Sequence, residues 1–171
     1  MKRMISAALA LCMALSLLFC FLLPVSATNR TVQQALNWCA SKVGTWYDYD
    51  GAYGPQCVDL IYGYYNYLGV TPAGGNGQDY AWNTVPSGWQ RIQGAVPQPG
   101  DILVYTNSPY GHVAIQGNSV IYHIRPSYSK YVLAESVSYN YYPNYWGVIR
   151  PNFSSSSASG GGLTASGVVY P

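Results

Sequence analysis

Two helical periods, a polar interval and a series of short apolar runs divide the chain. Apolar residues recur at Val32, Ala35, Leu36, Cys39 and Val43, the spacing of one helix face. Thr31 and Gln34 make a capping-box signature at its start, and Gly44 stops it. A second period, Val58, Ile61, Tyr64, Tyr65 and Leu68, predicts a helix over 55–68. Gly54 is its expected cap, Pro55 its first position and Gly69 its end. Residues 71–98 carry little periodicity; 79–83 predicts a short helical turn, and Trp82 and Trp89 suit either a core or a cleft. Runs at 102–105, 112–116, 119–123, 131–137 and 146–149 predict strands. Gly117-Asn118 is the expected two-residue turn between 112–116 and 119–123. Helices followed by antiparallel strands define an α+β domain.

The two ends differ from this pattern. Met1-Lys2-Arg3 is positive, 5–23 is apolar, and Pro24 precedes Val25-Ser26-Ala27, a small-residue cleavage pattern. Residues 1–27 therefore read as a secretory signal, cut after Ala27; an uncleaved anchor is the weaker alternative. Cys12 and Cys20 leave with it, and the bulky Leu11 and Phe19 before them argue against lipidation. The domain is expected over 28–153. Residues 154–171 read as a Ser/Gly-rich flexible tail.

Charge excludes some partners. After the signal, six basic residues face six acidic ones, with no basic stripe. Nucleic acid is thus a poor partner, and no stable membrane association is expected once the signal is gone. The expected state is a secreted or wall-located monomer. The chain has 18 tyrosines, which suit sugar stacking but equally suit strands of a β-rich domain.

Only Cys39 and Cys57 remain after processing. An exported pair invites a disulfide, but Cys39 falls on the packed stripe of the first helix, so two free thiols are the preferred reading. Cys57 falls in the first turn of the second helix, where unpaired N–H groups and the helix dipole favour a thiolate. His112 opens a strand. A helix-start cysteine and a strand-borne histidine suit nucleophilic attack on an amide, with His112 as general base. The oxyanion would sit near the Cys57 N–H, with Gln56 either helping or merely packing.

Gln56-Cys57-Val58-Asp59-Leu60, Pro99-Gly100-Asp101-Ile102, Gly111-His112-Val113-Ala114-Ile115 and Val148-Ile149-Arg150-Pro151 resemble, in this order, the CHAP domain (cysteine, histidine-dependent amidohydrolase/peptidase). The resemblance spans residues 31–151. It implies a papain-like fold and a peptidoglycan hydrolase, either an N-acetylmuramoyl-L-alanine amidase or an endopeptidase, with Cys57 as nucleophile and His112 as base. A catalytically idle wall-binding protein and a secreted cysteine protease are the alternatives.

Asp48, Asp50 and Asp59 gather half of the domain's acids around one loop, an oxygen-rich set suited to Ca²⁺ rather than zinc. The resemblance to calcium-binding CHAP lysins implies the same three aspartates as ligands, with backbone carbonyls at Ala52 and Gly54. One part of the family pattern is missing: no Glu-Gln-Asn follows the histidine strand. His123, Glu135 and Asn140 are the candidates to orient His112. A turn at Gly117-Asn118 would set His123 directly opposite His112, which favours His123 over Glu135.

Overall fold

The computed structural model describes residues 28–155; the expected signal, 1–27, and the tail beyond residue 155 lie outside the described residues. Helix α1 spans Val32–Lys42. The Thr31 hydroxyl accepts the Gln34 N–H and Gln34 Oε1 accepts the Thr31 N–H, closing the expected capping box. Ala35, Leu36 and Cys39 are buried, whereas Val32 and Val43, at the two ends of the stripe, are exposed.

Helix α2 spans Cys57–Tyr67 and starts later than expected. Gln56, not Gly54, is the cap, and its N–H donates to Asp59 Oδ2 at 2.7 Å. A carboxylate reaching back from the third helical position satisfies a donor that a glycine cap could not. Gly54 instead turns the preceding loop at φ 71°. Val58, Leu60, Ile61, Tyr64 and Tyr65 are buried along α2. Burying each large apolar side chain contributes about 1.5–3 kcal/mol. A 3₁₀ turn follows at Gly77–Ala81, two residues ahead of the expected turn.

Six strands form one antiparallel sheet: β1 (Gln90–Gln93), β2 (Ile102–Tyr105), β3 (His112–Gln116), β4 (Ile121–Arg125), β5 (Ser129–Glu135) and β6 (Tyr145–Arg150), in the order β1-β6-β2-β3-β4-β5. Strand β1 was not expected. Its sequence Gln-Arg-Ile-Gln offers one apolar residue, enough for an edge strand paired only with β6. Strand β4 starts two residues later than expected. Gly117 N–H donates to Val120 O, and Gln116 pairs with Ile121, so the turn is Asn118-Ser119. The glycine serves close approach: a Cβ at Gly117 would lie 2.9 Å from Val120 O. Strand β5 lies two residues earlier than the 131–137 run.

Helix α2 lies on β3 and β4. One core joins Leu60, Ile61 and Tyr64 to Val104, Val113, Ile115 and Ile149. On the other sheet face, Leu103, Tyr105, Ala114, Ile121 and Val148 are covered by Tyr139, Tyr142 and Tyr145. With both faces covered, all four residues of β2 are buried, as its unbroken apolar run requires. Asp101, 1 % exposed, receives a two-point contact from Arg150: Nε to Oδ1 at 2.9 Å and Nη2 to Oδ2 at 2.7 Å. Two sequence motifs thus meet as one clamp at the end of β6. Thr28 N–H donates to Asn152 O and Ser154 N–H to Arg30 O, so the domain's ends lie side by side and Ser154 still belongs to it.

Candidate active site

Two glycines bring His112 to its place. Gly111 takes φ 68°, which lets the chain turn into β3, and a Cβ there would strike Gln78 N at 2.4 Å. Gly77 lets the 3₁₀ turn rest on the His112 backbone, since its Cβ would fall 2.8 Å from His112 N. Cys57 reaches the same strand from the first residue of α2, where the Val113 N–H acts on its thiol. Cys57 and His112 line one cleft of about 690 Å³, along with Gln56, Tyr53, Tyr110 and Tyr142.

Behind His112 the side chains form a line across three adjacent strands. His112 Nε2 lies 3.0 Å from His123 Nδ1, and His123 Nε2 lies 3.1 Å from Glu135 Oε2. The second contact is an ion-pair approach outside hydrogen-bond alignment. Glu135 also accepts from the Tyr142 hydroxyl and from Arg125 Nη1. The two candidates for orienting His112 therefore stand in series. His123 touches His112 and Glu135 touches His123. Asn140 is elsewhere, accepting from the Ser138 hydroxyl.

The expected register was wrong, yet the expected contact forms. Pairs Ile115↔Tyr122 and Gln116↔Ile121 set His123 level with Ala114, two residues from its expected partner. Side chains alternate with period two, so a slip of two keeps His123 on the His112 face and makes the pair diagonal.

Electrostatics pulls two ways at Cys57. Burial pushes the Cys57 thiol up, outweighing the opposing hydrogen bonds from the Val113, Val58 and Cys57 N–H groups. This burial opposes the thiolate that the helix start favours. Burial, with His123 and Arg125 beside it, holds His112 down at about 3. Burial likewise holds His123 at about 4, against the pull of Glu135. Glu135 stays below the usual carboxylate range: burial opposes this, but the Tyr142 hydrogen bond, His123 and Arg125 together prevail. The resting line is thus two neutral imidazoles ending on a carboxylate. A carboxylate beside His123 Nε2 favours the proton there, leaving Nδ1 to accept from His112 Nε2–H. His112 then carries its lone pair on Nδ1.

Asp48, Asp50 and Asp59 offer carboxylate oxygens within 4.8 Å of one another. One oxygen of Asp48 accepts the Gly51 N–H and one of Asp50 accepts the Ala52 N–H. Both oxygens of buried Asp59 hold backbone N–H groups, from Tyr49 and Gln56. Burial raises the Asp59 carboxyl, and Asp50 and Asp48 add to this. Three acids converging with one of them desolvated fit a hard cation. Ala52 and Gly54 belong to the same loop, between Asp50 and α2. Cys39 is buried and free, and Cys57 is free. Sequence reasoning missed Tyr142 and Arg125; Tyr142 lies in a tyrosine-rich loop with no periodicity to mark it.

A helix-start cysteine sharing a cleft with a strand-borne histidine, on helices packed against an antiparallel sheet, defines a papain-like α+β domain with a thiol site. The resemblance to the CHAP domain holds: residues 46–120 match the family model described as CHAP domain. That span contains Cys57 and His112 and ends before His123 and Glu135. Endolysin PlyTW of Staphylococcus phage Twort (strain DSM 17442 / HER 48) is 34% identical over 97 residues, 52% of this chain and 21% of that protein. The crystal structure of a wild type endolysin, LysIME-EF1, superposes with a TM-score of 0.61 at 28% identity, covering 72% of this chain and 65% of that one. The structure of NlpC2 from Trichomonas vaginalis gives a TM-score of 0.49 at 21% identity, over 76% of this chain and 49% of that one. The match thus spans about a fifth of the curated relative and less than two thirds of the solved endolysin.

Proposed function

We propose that this chain is a secreted peptidoglycan hydrolase that cuts an amide bond of the bacterial cell wall through Cys57 and His112. The observation that carries this reading is that Cys57 and His112 share one cleft inside the CHAP match, with His123 and Glu135 in series behind His112. Both endolysin relatives support the wall as substrate. The leader pattern at 1–27 supports export, and among the described residues no helix is long and apolar enough to cross a membrane.

The chemistry follows from the resting protonation. As the Cys57 sulfur attacks the amide carbonyl, its proton moves to His112 Nδ1. The new positive charge is shared toward His123 and met by the Glu135 carboxylate. The carbonyl oxygen gains charge beside the Cys57 N–H and Gln56. His112 then gives its proton to the leaving amine, whose departure leaves a thioester. Water, deprotonated by His112, hydrolyses that ester and restores the thiol. Asp48, Asp50 and Asp59 would hold Ca²⁺, with the Ala52 and Gly54 carbonyls completing the set; bound there, the ion neutralises the acids that converge beside α2.

Purified cell wall incubated with residues 28–171 and analysed by mass spectrometry tests the reading. New amine termini are expected with the wild type and none with Cys57→Ala or His112→Ala proteins that melt normally. An intact wall with the wild type, or near-normal release by Cys57→Ala, would overturn it. The fragments also separate amidase from endopeptidase.

A further inference from the structure

The cleft that holds Cys57 has a nearly neutral lining. Among the described residues around it, Arg125 is the one side chain charged at neutral pH. Its guanidinium lies beside two tyrosine rings. Cζ lies 5.0 Å from the Tyr128 ring centre and 5.1 Å from that of Tyr142. Nη1 donates to Glu135 Oε1 at 3.2 Å, yet the side chain stays 33 % exposed. Glu135 also has His123 and Tyr142 as partners, so its charge does not depend on Arg125 alone. A guanidinium carries five N–H donors in a planar fork, and the Glu135 contact occupies one of them.

We propose that Arg125 is a specificity-determining residue that takes a carboxylate of the substrate next to the amide attacked by Cys57. The preferred substrates are then peptides with a free acid beside the scissile bond, over the same peptides amidated. The inference rests on the amidohydrolase reading above. Two parallel N–H donors match a carboxylate at two points. Glu135 and Tyr142 orient the fork in advance, which reduces the side-chain freedom lost on binding. A carboxamide has one acceptor and turns N–H donors toward N–H donors, an active disfavour.

The test uses wall fragments that the wild type cuts, compared with the same fragments amidated by carbodiimide and ammonium. The wild type should favour the acid by about tenfold or more in kcat/KM, the size of one charged hydrogen bond. Arg125→Met should bring the ratio to about one, and Arg125→Lys, which keeps charge but loses the fork, should leave an intermediate ratio. An arginine that only supported Glu135 would slow both substrates equally and leave the ratio intact. A wild-type ratio near one, or an unchanged ratio in Arg125→Lys should the methionine variant fail to fold, would overturn the proposal. Binding of both fragment sets to the Cys57→Ala protein reads the same preference without turnover. Acid-selective binding with no cleavage by the wild type would sink the hydrolase reading and keep the Arg125 assignment. Equal binding of acid and amide would do the reverse.

Discussion

His123 has no exposed surface, one ring nitrogen on His112 and the other beside Glu135. Its position makes the two rings act as one unit, so their variants should not be additive. His123→Ala is expected to lower turnover by roughly 10²–10⁴, the range of a lost acid–base contribution. Glu135→Gln should lower it less, because it removes the charge beside His123 but leaves the His112–His123 contact in place. The double variant should be close to His123→Ala alone; steady-state kinetics on folded proteins checks this, and fully multiplied losses would show independent roles. The same burial predicts an acid limit to stability. An ordinary histidine titrates near 6.5, whereas burial holds His112 at about 3 and His123 at about 4. Below pH 6.5 the unfolded chain binds protons that the folded one refuses. Stability is therefore complete above that pH, falls as pH drops, and levels off only near the folded values. The slope is up to about 1.4 kcal/mol per pH unit for each histidine. Urea melts at pH 7.5, 5.5 and 4.5 should show the loss, and His123→Ala should make it shallower. Cys57 and His112 were legible from their settings in the sequence. Arg125 and Tyr142 were not, because each meets Glu135 only once the sheet has formed.

The loop that feeds α2 is built from its own acids. Asp48 and Asp50 hold N–H groups of the loop, and Asp59 holds the helix start from inside. A cation that binds only this folded arrangement stabilises the protein by mass action. Addition of Ca²⁺ is expected to raise the melting temperature and a chelator to lower it. The Asp48→Ala/Asp50→Ala protein should be insensitive to both. Calorimetry checks this, and one melting temperature under all conditions would leave the acids with their backbone contacts alone. Among the elements, α1 was readable to its cap because capping is local. The start of α2 was not, since choosing Gln56 over Gly54 required knowing where the Asp59 carboxylate points. The β3–β4 turn was misplaced because Gly-Asn is a good turn pair on its own, while the packing of Gly117 against Val120 decides otherwise. Strand β1 was invisible because an edge strand needs little apolar pattern.

At the scale of the whole domain, the α+β order was plain from periodicity, and the sheet order was not. Nothing local says that β6 inserts between β1 and β2, or that tyrosines beyond β5 cover the second sheet face. The Asp101–Arg150 clamp that fastens β6 joins residues far apart in the chain. The chemistry is divided along the chain in a similar way. His112, His123 and Glu135 sit on three successive strands joined by two hairpins, so their alignment needs only contacts between chain neighbours. Cys57 comes from a helix much earlier in sequence and meets them only when α2 docks, a non-local event with a loop-closure penalty. During refolding, the meander that carries the base should therefore organise before the nucleophile arrives. In a Cys39→Ser background, pulsed alkylation reports this directly. Cys57 should keep the labelling rate of an unfolded thiol after strand signals have recovered, then change to the rate of the folded cleft in the same phase that restores activity. The thiol would then be a built-in clock for the last step of folding.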